Sequence, residues 1–199
     1  TTADGSGNWS FDHTGTTLSD GSYAITAAAM DASGNTSAAS SALNVTVDTA
    51  APAAPAVTAI TDDTGTASDG ITSDNQLVIT GTAEANASVE VFIDAGSIGT
   101  TTADGSGNWS YDHTGTTLAD GSYAITAAAT DASGNTSSTS GALNITVDTA
   151  APSVSSYSPA NGETSVVFSS NLVMTFDDSV YVSTGNVVIR RYIDDSIVE

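Results

Sequence analysis

The chain has 199 residues, no cysteine, and 23 acidic residues against 2 basic ones, a formal net charge of −21. Both basic residues, Arg190 and Arg191, stand near the far end, so nothing before them can neutralise phosphate; this excludes nucleic acid and argues against anionic membrane as partners. Disulfide staples are excluded as well, and cations are the natural counter-charge.

The chain opens on a segment that returns one hundred residues later. Residues 1–50 match residues 101–150 without a gap and with seven differences: Phe11/Tyr111, Ser19/Ala119, Met30/Thr130, Ala38/Ser138, Ala39/Thr139, Ser41/Gly141 and Val45/Ile145. A period near 100 is too long for a solenoid unit of about 20–50 residues and suits a whole small all-β domain. Residue 1 falls at a point equivalent to the middle of the next repeat, and "RRYIDDSIVE" stops on an apolar alternation. The expected organisation is therefore a window from a longer protein: residues 1–48 are the C-terminal half of one repeat, 49–148 a complete repeat, and 149–199 the N-terminal part of a further domain.

Within the complete repeat, seven strands are expected, near 54–60, 76–82, 88–94, 97–102, 108–113, 121–130 and 142–148. "QLVITGT", "SVEVFID", "YAITAAAT" and "ALNITV" alternate in β-forming residues. "DDTGTASDG", "AEANA", "ADGSGN", "ADGS" and "DASGN" punctuate them as turns. No helical pattern occurs, and this regular alternation outweighs the disorder that the charge and the Ser, Thr, Gly and Asp content would otherwise suggest. The predicted fold class is all-β: tandem immunoglobulin-like sandwiches, seven strands in the complete one. The expected core is Val57, Ile60, Leu77, Ile79, Val89, Val91, Ile93, Trp109, Leu118, Tyr123, Ile125, Leu143, Ile145 and Val147. Many of its partners are alanines, so at about 25 cal/mol per Å² of apolar surface the core is thin and would profit from another source of stability.

Antiparallel order carries three acidic or amide-bearing segments to one end of that sandwich. These are the incoming linker with Asp48, the turn Glu84-Ala85-Asn86, and the loop Asp131–Asn135. The long loop with Asp62, Asp63, Asp69 and Asp74 falls at the other end, with Asp148. The phrase "DTAAP" recurs at 48–52 and 148–152, where Pro52 and Pro152 stiffen each entry. Carboxylates packed without a basic neighbour repel one another, and hard oxygen donors without Cys or clustered His select Ca²⁺ over zinc or copper. The expected cage is Asp48, Glu84 and Asp131, completed by Asn135 or backbone carbonyls, with Asp148 serving the next junction. Beside it stands the plainer reading that each Asp only forms a turn. "DGSGN" at 104–108 has a faint EF-hand spacing but lacks the distal Glu, and reads better as a turn before Trp109.

Catalysis is not expected. The two histidines, His13 and His113, occupy the same repeat position, and no nucleophile–base–acid set stands out. Trp9 and Trp109 read as core anchors.

The combination "ITDDTG…SDGITSDN", "ITGTAEANASVEVFID", "ADGSGNWS", "LADGSYAITAAATDASGNTS" and "LNITVDTAAP" resembles the bacterial Ig-like repeats of large biofilm-associated adhesins, including RTX adhesins exported by type I secretion. "SPANG", "NLVMTFDDSV" and "STGNVVI" in 152–199 resemble part of a second, S-layer type of bacterial Ig-like domain. The first resemblance implies an extracellular, cell-surface spacer for adhesion and biofilm formation. It implies Ca²⁺ at the junctions, on Asp48, Glu84, Asp131, Asn135 and Asp148. Its partners would be Ca²⁺ and neighbouring Ig-like domains of the same chain, with no membrane insertion in this segment and no obligate oligomer. The alternative is a module that itself binds a glycan, a protein or a mineral surface.

Overall fold

The computed structural model describes residues 1–164, 171–178 and 180. "STGNVVI" and the arginine pair lie outside the described residues. The chain divides into two compact units, Thr1–Thr149 and Ala150–Glu199.

The first unit holds a sandwich of two sheets. Its three-stranded sheet runs β3 (Ala56–Ile60), β5 (Val78–Thr82), β8 (Asn108–Asp112), all antiparallel. Its five-stranded sheet has the order β4 (Ile71–Thr72), β10 (Leu143–Val147), β9 (Gly121–Thr130), β6 (Ser88–Ile93), β7 (Gly96–Thr102). The seven expected strands are all present, each within about two residues of its predicted bounds. The short β4, which pairs parallel with β10, is an addition to them. Alternation explains which side chains turn inward: Val89 and Val91 of β6 and Ile125, Ala127 and Ala129 of β9 are fully buried while their neighbours face out.

The expected core residues are all buried or packed against the core. The alanines expected among their partners are there as well: Ala87, Ala103, Ala127 and Ala129 are buried too. Small side chains there let β9 and the chain turning from β7 into β8 sit close to the facing sheet. One glycine has a packing reason. A Cβ on Gly81 would overlap the carbonyl oxygen of Ala56 and the Trp109 ring, so β5 must be bare where the indole lies across it.

Residues 1–48 carry nearly the same sequence as 101–148 and a different structure. They form one antiparallel pair, β1 (Gly21–Ile25) with β2 (Leu43–Val47), in the register of β9 and β10. The stretch equivalent to β8 is not a strand, and β1 stops at Ile25 where β9 continues to Thr130. In the complete repeat β8 is held by β5, and the outer half of β9 by β6; backbone groups without such a partner form no ladder.

In the second unit, β11 (Val154–Ser158) pairs antiparallel with β12 (Val173–Phe176) through a bulge, and Ser153 donates from its N–H (2.7 Å) and hydroxyl (2.5 Å) to the Asp177 carboxylate.

Candidate functional site at the Asp-Thr linker

The sequence Asp-x-Ser-Gly-Asn occurs four times, at 4–8, 31–35, 104–108 and 131–135. Each copy builds one structure. One oxygen of the Asp accepts from the backbone N–H two and four residues on, at 2.8–2.9 Å in every copy. The other oxygen accepts from the Asn amide, at 2.9 Å in the case of Asn135 and Asp131. The Gly sits at positive φ, from 85° to 93° across the four, a region in which a side chain is strained. The EF-hand-like spacing of 104–108 is thus a turn, as expected; it carries the chain from β7 across to β8 in the other sheet.

These turns hold their carboxylates ionised. The Asn135 side-chain amide, followed by the N–H groups of Asn135, Ser133 and Gly134, holds Asp131 below its ordinary value of 3.8 against an opposing desolvation. Asp31 is lowered in the same way, with the Asn35 amide first. The N–H groups of Asn108 and Ser106 lower Asp104, and those of Asn8 and Ser6 lower Asp4. A depressed folded pKa contributes stability that is present above the unfolded value and lost as pH falls through the folded one. In a pH series from 7 to 2, the urea midpoint of the complete domain should therefore drop below about pH 3.8. In Asp131→Asn that drop should be smaller, and equal slopes in the two proteins would refute the turn's contribution.

The linker "DT" is gripped from both sides. On one side, Asp20 lies just before β1, and a single one of its carboxylate oxygens accepts from the Thr49 N–H (3.1 Å) and hydroxyl (2.9 Å). The grip recurs one repeat later, where Asp120 takes the Thr149 N–H (3.0 Å) and hydroxyl (2.8 Å). On the other side, the loop between β9 and β10 takes Asp48: the Asn135 amide donates to the Asp48 carbonyl (3.1 Å) and the Ser133 hydroxyl to its carboxylate (3.2 Å). The Asn135 amide therefore bridges Asp48 and Asp131.

Of the residues expected to converge, Asp48, Asp131 and Asn135 come together. Glu84 lies in the turn between β5 and β6, its carbonyl accepting from the Ala87 N–H at 3.1 Å. Among the described residues no three of His, Cys, Asp and Glu gather as a group that could hold a metal ion, so the three carboxylates do not form one cage here. Asp148 follows β10 and donates its N–H to the Thr72 carbonyl at 2.9 Å. At that end the acids are spread along the loop as turn formers: Asp63 accepts from Ser68 N–H, Asp69 from Ile71 N–H, and Asp74 from Gln76 N–H. The buried Thr72 hydroxyl ties the loop together, donating to the Asp62 carbonyl at 2.8 Å.

Sequence reading missed Thr49, Thr149, Asp20, Asp120 and Ser133. The one available signal was that "DG" and "DT" both recur, a constant distance apart.

A family model described as a bacterial Ig-like domain matches residues 1–49 and 51–149. The curated proteins contain no match. Among solved structures, the fibronectin(III)-like modules of Clostridium thermocellum CbhA match at 21% identity and a TM-score of 0.37. That match covers 65% of this chain and 64% of the other, a little under two thirds of the latter's length.

Proposed function

The chain belongs to the bacterial Ig-like domain family, extracellular and surface modules, and from that premise we propose that it is an extender segment of a large cell-surface adhesin. Tandem Ig-like domains, made rigid at their junctions, hold a distant adhesive tip away from the cell. The observation that carries this reading is the two-sided grip on Asp48-Thr49. One repeat holds the Thr and the next holds the Asp, and the Thr grip is repeated at Asp120 and Thr149. A linker so held transmits orientation from domain to domain, whereas a solvated one would not. Each complete domain would add roughly 35–45 Å, from strands of six to eight residues plus end loops at about 3.4 Å per residue.

Calcium belongs to the same proposal. The acceptors crowded at this junction are all oxygen: the Asp48 carbonyl and carboxylate and the Asp131 carboxylate. That is the donor type a hard divalent cation takes, and no basic residue precedes position 190 to compete for it. Asp48, Asp131 and Asn135 would hold the ion here, and Asp148 would serve the following junction. Glu84 is the remaining carboxylate of the set, and its removal should matter least. Bound Ca²⁺ would supply charge neutralisation and a stiffer linker. No nucleophile–base pair enters this reading, which is a mechanical one, with export by a type I route as its expected origin.

The test is a thermal melt and small-angle scattering of the 199-residue chain in Ca²⁺ and in EGTA. Ion binding at a hundred times Kd would stabilise the folded state by about 2.7 kcal/mol. The expected results are a melting point raised by several degrees and a lower radius of gyration spread in Ca²⁺, both lost in Asp131→Ala. Identical melts with and without Ca²⁺ would sink the metal part. Loss of a fixed interdomain distance in neither Asn135→Ala nor Ser133→Ala would sink the grip.

A further inference from the structure

The side-chain amide of Asn135 has two partners where its counterpart in the β7–β8 turn has one. The Asn108 amide donates to the Asp of its own turn, Asp104, at 3.5 Å. The Asn135 amide donates to Asp131 at 2.9 Å and also, across to the linker, to the Asp48 carbonyl at 3.1 Å. An amide nitrogen offers two N–H groups and accepts nothing, so both of its protons are taken. Its two partners, a main-chain carbonyl and a carboxylate oxygen, can only accept, and the NH₂ group lies between them. Both acceptors are fixed by other bonds. The second Asp131 oxygen is held by the N–H groups of Ser133 (2.8 Å) and Asn135 (2.9 Å). The Asp48 carboxylate is held by the Ser133 hydroxyl (3.2 Å) and the Ala50 N–H (3.1 Å). The amide is the part that can turn, because the last torsion of an Asn side chain is broad and roughly two-fold. Half a turn exchanges the NH₂ group for the Oδ1 oxygen. The donors between the acceptors are then replaced by a third oxygen, beside the Asp48 carbonyl and an Asp131 oxygen. Three such oxygens repel one another unless a cation lies among them, and they are then the donor set of a hard divalent ion. The two positions of the amide exclude each other.

We infer that Asn135 is a two-position switch at the junction: with its NH₂ group inward it fastens Asp48 to Asp131 in place of a cation, and with its oxygen inward it is a ligand of one. The inference rests on the Ca²⁺ reading of this junction and adds the regulation of that site. The linker is then fastened at low and at high Ca²⁺, by different bonds. The amide also competes with the ion for the same two acceptors, so it holds the affinity below what the oxygens alone would give. An aspartate at position 135 has no donors, presents oxygen in either position and brings a further negative charge. It should lose the fastening without Ca²⁺ and bind Ca²⁺ more tightly.

The experiment follows the side-chain NH₂ resonances of the nitrogen-labelled 199-residue chain in EGTA and through a Ca²⁺ titration, with calorimetry on the same samples. Asn135→Asp assigns the Asn135 pair, and the Asn108 pair is the internal reference. The expected result is that the Asn135 pair moves in step with the calorimetric uptake and its protons begin to exchange with water, while the Asn108 pair stays. Asn135→Asp should bind Ca²⁺ about tenfold more tightly than the unaltered chain. In EGTA it should show faster hydrogen exchange across residues 48–50. Uptake with an unmoved Asn135 pair overturns the switch and leaves the Ca²⁺ reading standing. An Asn135→Asp chain that binds no more tightly, or whose linker exchanges no faster in EGTA, does the same. Uptake by Asn135→Asp alone would mean that the amide blocks the ion without turning, and overturns the switch too. No uptake by either protein overturns the Ca²⁺ reading and the switch with it.

Discussion

Trp109→Ala is expected to lower the unfolding free energy of the complete domain by about 3–5 kcal/mol, and Trp9→Ala to change it by no more than about 0.5 kcal/mol. The two residues share the local sequence "GSGNWS", so propensity, turn and charge are the same at both. What differs is the surroundings. Trp109 is 4% exposed, on β8 opposite Gly81 and packed in the core with Ile79, Val89 and Ile125; Trp9 is 54% exposed on a segment that forms no strand there. Removing the buried indole forfeits its transfer free energy and leaves a cavity that the Gly81 backbone cannot fill. Removing the exposed one forfeits almost nothing. Urea melts of both variants, read as midpoints at unchanged slope, distinguish the two cases. A loss at Trp9 equal to that at Trp109 would mean that residues 1–48 are packed against something in solution. The Trp109 loss is also large relative to a total stability that, for a domain of this size, is on the order of 5–15 kcal/mol. A thin, alanine-linked core concentrates stability in its few large side chains.

The strands were legible because alternation is a local signal. "SVEVFI" shows its inward Val89 and Val91 without help from any other part of the chain. The Asp-x-Ser-Gly-Asn turns were legible for the same reason, since the Asp satisfies N–H groups only two and four residues away. The grip of Asp20 on Thr49 spans 29 residues and that of Asn135 on Asp48 spans 87, and polar pairs at such separations leave no periodic trace. Topology correctly sent Asp48 and the Asp131–Asn135 loop to one end of the sandwich. It could not say that Glu84 would stay out of a three-acid group, because two sheets about 10 Å apart make that end wide. The β4 bridge at Ile71–Thr72 is two residues long and sits among turn formers, below the length at which alternation says anything. Residues 1–48 teach the converse. A sequence that builds β8 and a ten-residue β9 in one place builds only β1 and β2 in another, because strands depend on the partner as much as on their own residues.

Gly81→Val is expected to destabilise the complete domain by about 1–3 kcal/mol or more, the reverse of what strand propensity alone implies. Valine is among the best strand formers and glycine among the worst, so at an ordinary exposed position the exchange gains up to about 1 kcal/mol. Gly81 is not ordinary. It pairs with Val57 on β3 and with Trp109 on β8, in the centre of the three-stranded sheet. A Cβ there would overlap the Ala56 carbonyl oxygen, which is backbone, and the edge of the Trp109 ring. The ring could turn aside only by giving up its own burial, and the carbonyl could retreat only by opening the ladder between β3 and β5. The two substitutions therefore share one cause of damage. In the double variant Gly81→Val/Trp109→Ala, the clash with the ring is gone and the new side chain partly fills the vacated space. The combined loss should fall short of the sum of the single losses by at least about 0.5 kcal/mol, the scale on which touching residues depart from additivity. Full additivity in the urea melts would mean that the two residues do not meet, and that the indole does not lie across β5. A stabilised Gly81→Val would count equally against the close approach of β3 and β5. It would leave the thin core without its one dense contact between sheet and indole.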